Sequence, residues 1–114
     1  MIKRLESGPR MSQAVAHGNT VYLAGQVADD PSMDVAGQTR QILASIDKLL
    51  AAAGSDKTRI LSATIYIAEI GTFAQMNSAS HARVPQGHTP ARATVEAKLA
   101  APQYKVEIQV IAAV

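Results

Sequence analysis

The chain has 114 residues, a formal charge of +2, 47% hydrophobic and 18% charged residues, and neither cysteine nor tryptophan. That length suits one core at roughly 100–150 residues per domain, so residues 1–114 read as a single domain, and the hydrophobic fraction excludes intrinsic disorder. Without cysteine there is no disulfide, thiolate nucleophile or thiolate metal site, and so small a charge is too weak for a phosphate-tracking surface. Only 4% of residues are aromatic, so the core must be aliphatic. Met1–Arg10 has basic residues with no apolar stretch behind them, and no run approaches the about 20 apolar residues of a membrane span. A cytoplasmic chain with no membrane and no nucleic-acid partner is the expectation.

Ile2–Leu5 reads as a short edge strand. A hairpin follows: Ser12–Ala16 and Thr20–Ala24 alternate around the turn signal His17-Gly18-Asn19. Asp29-Asp30-Pro31-Ser32 breaks the pattern and offers polar caps. From Val35, the positions Thr39, Ile42, Leu43, Ile46, Leu49, Leu50 and Ala53 recur at three- and four-residue steps, the stripe of a helix that Gly54 ends. Ile60–Ala68, rich in β-branched residues, is a strand. Thr72 looks like the N-cap of a second helix, Phe73 to about Arg83, stopped by Pro85 and Gly87.

The last quarter predicts two strands, Arg92–Lys98 and Tyr104–Val114, joined as a hairpin by Leu99-Ala-Ala-Pro102. The register that avoids Glu96 against Glu107 sets Thr94 opposite Glu107 and Arg92 opposite Gln109. The expected fold is therefore α+β, with both helices on one face of the sheet. Ala93, Val95, Val106 and Ile108 are expected on the helix-covered face. Arg92, Thr94, Glu107 and Gln109 fall on the other, with Tyr66 and Ile111, and no segment remains to cover them.

Arg92, Thr94 and Glu107 are the one cluster that reads as a site. A guanidinium grips a planar carboxylate with two hydrogen bonds, and a nearby carboxylate orients water or moves a proton. The plainer alternative is a surface cross-strand ion pair, worth less than about 1 kcal/mol. His81 and His88 are seven residues apart across Pro85 and Gly87, so no metal site is expected from them.

Four segments in order resemble the Rid family of reactive imine deaminases: Gly18-Asn-Thr-Val-Tyr-Leu-Ala-Gly25-Gln26, Gln38-Thr-Arg40, Phe73-Ala-Gln-Met-Asn77, and Pro90-Ala-Arg92-Ala-Thr-Val95 with Lys105-Val-Glu107-Ile. The resemblance implies a chorismate-mutase-like fold, a homotrimer with sites at subunit interfaces, and hydrolysis of 2-imino or 2-enamino acids to 2-keto acids and ammonia. No cofactor or metal is implied. Arg92 matches the family's carboxylate-binding arginine, and Glu107 the glutamate beside the attacking water. Thr94 stands where many members have cysteine. Met11 stands where many have a tyrosine reaching the substrate, and Ser80, His81 and Arg83 where bulkier, often aromatic, residues are usual. Because Met11 cannot donate the tyrosine's hydrogen bond, a non-catalytic receptor for small 2-keto carboxylates is the alternative reading. Ribonuclease activity, a description some relatives carry, finds no basic stripe or suitable His pair here.

Overall fold

A computed structural model describes all 114 residues. Six strands form one mixed sheet: β1 (Ile2–Ser7), β2 (Ser12–His17), β3 (Thr20–Leu23), β4 (Ile60–Ile67), β5 (Ala91–Glu96) and β6 (Val106–Ala113). Their order across the sheet is β1-β2-β3-β6-β4-β5. Helices α1 (Val35–Ala52) and α2 (Phe73–His81) lie on one face, which confirms the α+β expectation. No helix is long and apolar enough to cross a membrane.

The local signals explain most elements. Gly18 adopts φ +62° at the β2–β3 turn, the left-handed conformation that glycine reaches without a Cβ penalty. On α1 the anticipated stripe is the buried one: Val35, Thr39, Ile42, Ile46, Leu49 and Leu50. It meets Ala63, Ile65 and Ile67 of β4 and Val106, Ile108, Val110 and Ala112 of β6, an aliphatic core as the composition required. The cap of α1 is Asp34, whose Oδ1 accepts from Gly37 N at 2.8 Å, rather than the 29–32 segment. Asp30 instead binds Ser32, while its amide donates to Gln41. Thr72 begins α2 without a side-chain cap, because its hydroxyl donates backward to Glu69 O.

The terminal hairpin does not form. Strand β5 pairs in parallel with β4, and β4 separates it from β6. Parallel neighbours require a crossover, and α2 supplies it. Thr94 therefore lies beside Ile65, not Glu107, and Arg92 beside Ala63, not Gln109. This pairing also inverts β5. Arg92 and Thr94 share the helix side with Ala63 and Ile65, whereas Ala93 and Val95 fall on the open side beside Thr64 and Tyr66. Of the two terminal strands, β6 keeps its expected orientation, with Val106 and Ile108 inward and Glu107, Gln109 and Ile111 outward.

The open face is continuous. One row runs Arg4, Val15, Tyr22, Ile111, Ser62, Ala91, and a parallel row joins Glu107, Tyr66 and Val95. Tyr22 and Val95 remain 47% and 42% exposed, and no element of the chain packs over them.

Candidate active site

Arg92 projects from the edge strand toward α2. Its Nη1 donates to Asn77 Oδ1 at 2.8 Å, and its guanidinium carbon stands 5.7 Å from the centre of the Phe73 ring. The helix thus presents Phe73 and Asn77, one turn apart, to a single guanidinium. The chain's two ion pairs are Arg59–Asp56 and Arg83–Asp47, so Arg92 has no carboxylate partner. An oriented, exposed and unpaired guanidinium keeps donors free for an incoming carboxylate. Two residues along the same side, the Thr94 hydroxyl is buried without a hydrogen-bond partner. Buried polar groups are normally satisfied, which makes this one conspicuous.

Glu107 stands apart from them. It is half-buried on the open face, two strand positions from β5, a lateral separation of roughly 10 Å. Its carboxylate lies over Gly25: a Cβ there would overlap Oε2 and stand 2.9 Å from Cδ. A side chain at Gly25 fits only by displacing the Glu107 carboxylate. The next residue, Gln26, pairs through its backbone with Ile108, which holds the Gly25 segment against β6. Met11 lies in the β1–β2 turn, exposed, at the sheet edge opposite β5 and roughly 20 Å away in strand spacings.

One chain thus brings Arg92 and Thr94 together and leaves Glu107 and Met11 elsewhere. The cross-strand ion pair between Arg92 and Glu107 does not exist. Asn77 and Phe73 were legible only as part of a resemblance, because their contact with Arg92 depends on the α2 crossover. Gln38, the polar residue that opens the Gln38-Thr-Arg40 segment, is structural. It is fully buried, donates to the carbonyls of Pro31, Met33 and Gln103, and accepts from Lys105 N. The two carboxyls held below their usual range also lie outside the site: Asp30 by the Ser32 hydroxyl and amide, and Asp56 by those of Thr58.

The profile of the endoribonuclease L-PSP family matches residues 1–114. The chain belongs to the Rid family. The RutC family protein YoaB of Escherichia coli K12 is 46% identical over 113 residues, covering 99% of this chain and 98% of the relative. A 2-iminobutanoate/2-iminopropanoate deaminase of Rattus norvegicus is 34% identical over 107 residues, covering 89% and 77%. Among solved structures, an uncharacterized protein from Pseudomonas aeruginosa superposes with a TM-score of 0.97 at 45% identity, covering 99% of this chain and 98% of that one. These likenesses establish the Rid fold and family and extend the resemblance over the whole chain.

Proposed function

We propose that this Rid protein hydrolyses 2-imino acids, and their 2-enamino tautomers, to 2-keto acids and ammonia. The observation that carries the reading is Arg92, oriented by Asn77 and Phe73 yet without a carboxylate of its own. The likeness to a rat imine deaminase adds weight. Arg92 binds the substrate carboxylate, with Thr94 beside it. Water adds to the C=N carbon while Glu107 passes one of its protons to the nitrogen; the carbinolamine then gives up its hydroxyl proton, which Glu107 carries to the same nitrogen, and the C–N bond breaks so that ammonia departs as the carbonyl forms. Water is the only co-reactant, so the work is positioning and charge neutralisation, which supply several kcal/mol where the site is preorganised.

Such a site needs two chains. Arg92 and Thr94 face the helix side at one sheet edge, whereas Glu107 and Met11 lie on the other face and the far edge. In a closed homotrimer, the arrangement the Rid resemblance implies, a neighbouring copy brings its Glu107 and Met11 toward Arg92. Met11 favours one competing reading, a receptor that binds 2-keto acids without turnover, because a thioether cannot donate the hydrogen bond a tyrosine would.

The test is the release of ammonia and pyruvate from freshly generated 2-iminopropionate. Wild-type protein is expected to accelerate release and Arg92→Ala to abolish the acceleration. Equal rates for the two proteins overturn the deaminase, and tight 2-ketobutyrate binding under those conditions selects the receptor.

A further inference from the structure

Behind Arg92 a partly open cleft of about 280 Å³ lies between the helices, the sheet and the 82–90 segment. Open to solvent at one side, it is accessible to a small molecule. It lies near the lower end of small-molecule sites, about 300 Å³. Its floor is aliphatic, made by Ile46 of α1, Ala63 and Ile65 of β4, and Ile108 and Val110 of β6. Ser80, 5% exposed on α2, contributes a small side chain to the wall. The rim is cationic: Lys57 and Arg92 lack carboxylate partners there, while Arg83 is already paired with Asp47 at 2.7 Å.

An apolar floor beneath an unpaired guanidinium fits a molecule with a carboxylate at one end and a hydrocarbon body at the other. We infer that the cavity is the side-chain pocket for substrates anchored on Arg92, and that this protein selects 2-imino and 2-keto acids with branched or aromatic side chains over the pyruvate-sized ones. The inference rests on the carboxylate-anchoring role proposed for Arg92. Asn77 lines the same cleft and orients Arg92, so the carboxylate anchor and the apolar floor adjoin. Each buried methylene of such a tail contributes apolar transfer energy that a methyl group alone does not provide.

The experiment compares binding of 4-methyl-2-oxopentanoate and pyruvate to the full chain by calorimetry, with methyl NMR on the isoleucines. The branched acid is expected to bind at least about tenfold more tightly. It should also shift the Ile65 and Ile108 methyl resonances more than pyruvate does. In Ser80→Phe, whose ring occupies the cavity, the affinity ratio is expected to fall close to one. Leu43→Phe fills the cavity from α1 and gives the same reading should the first variant not fold. Equal affinities in the wild type, unmoved isoleucine methyls, or a preference that survives filling would each overturn the pocket. Readout by binding separates the two ideas. A preference without imine turnover sinks the deaminase and keeps the pocket, whereas turnover without preference does the reverse.

Discussion

Arg92 is held from two sides, by an amide oxygen and an aromatic face, and both holds depend on its planar guanidinium. Lysine keeps the charge but neither stacks on Phe73 in that geometry nor grips a carboxylate with two parallel bonds. Arg92→Lys is therefore expected to raise KM for 2-iminopropionate about tenfold or more, with the fold intact by circular dichroism. Asn77→Ala should act in the same direction but more weakly, since it removes an orienting partner and not the charge. A variant KM equal to wild type in Arg92→Lys would show that the substrate carboxylate is held elsewhere. Gly25 offers an independent probe of Glu107. Any Cβ at Gly25 must displace the Glu107 carboxylate, the mobile end of a flexible side chain, so the fold should survive while the general base is misplaced. Gly25→Ala is expected to lower kcat by about a hundredfold, approaching the loss in Glu107→Gln. Comparison of the three kcat values checks it, and full activity in Gly25→Ala would remove Glu107 from the mechanism.

At the scale of elements, periodicity located nearly every helix and strand, and composition located the core. The pairing of β5 was not legible. A four-residue connection between two alternating strands is a local hairpin signal, but here the segment after β5 carries the chain past β4 to β6. Charge-based register arguments apply only to adjacent strands, so the argument from Glu96 and Glu107 had no object. The alternation in β5 was nevertheless informative. Ala93 and Val95 do form an apolar side, but it faces the uncovered side of the sheet, not the helices. Reading every apolar strand face as inward presumes that all burial happens within one chain. The same limit hid the site, since the expected hairpin clustered Arg92 with Thr94 and Glu107 while the crossover aims Arg92 at Asn77. Gln38 shows how a polar residue in a family-like segment can serve the fold, tying α1 to two loops. Gln38→Ala leaves three carbonyls and the Lys105 amide without that partner. Urea denaturation at fixed protein concentration is expected to show a loss of about 2–4 kcal/mol. A loss below about 1 kcal/mol would mean that water replaces the side chain at little cost.

For the whole molecule, the decisive surface is the open sheet face. Tyr22, Ile111, Tyr66 and Val95 lie on it in adjoining rows, and both helices are already engaged on the other side. Covering that face with copies of the chain removes apolar surface from water at roughly 25 cal/mol per Å². Closed cyclic symmetry does so without leaving a face free to recruit further copies. The proposed mechanism makes the same demand independently, because Arg92 and Glu107 can serve one substrate only across a subunit boundary. Both arguments meet in one prediction. Sedimentation equilibrium at micromolar concentration is expected to give three times the 12.0 kDa of the chain. Tyr22→Glu, which buries a charge in the covered face, is expected to shift the mass toward that of the single chain. Imine hydrolysis should fall with it, although Tyr22 lies three strands from Arg92 and touches none of the residues that hold it. Ile111→Glu, on the neighbouring strand, should do the same. A wild-type protein that sediments as a 12.0 kDa species would contradict the assembly and the two-chain site together. A dissociated variant that keeps full activity would contradict the shared site alone, because one chain would then be shown to carry the whole reaction.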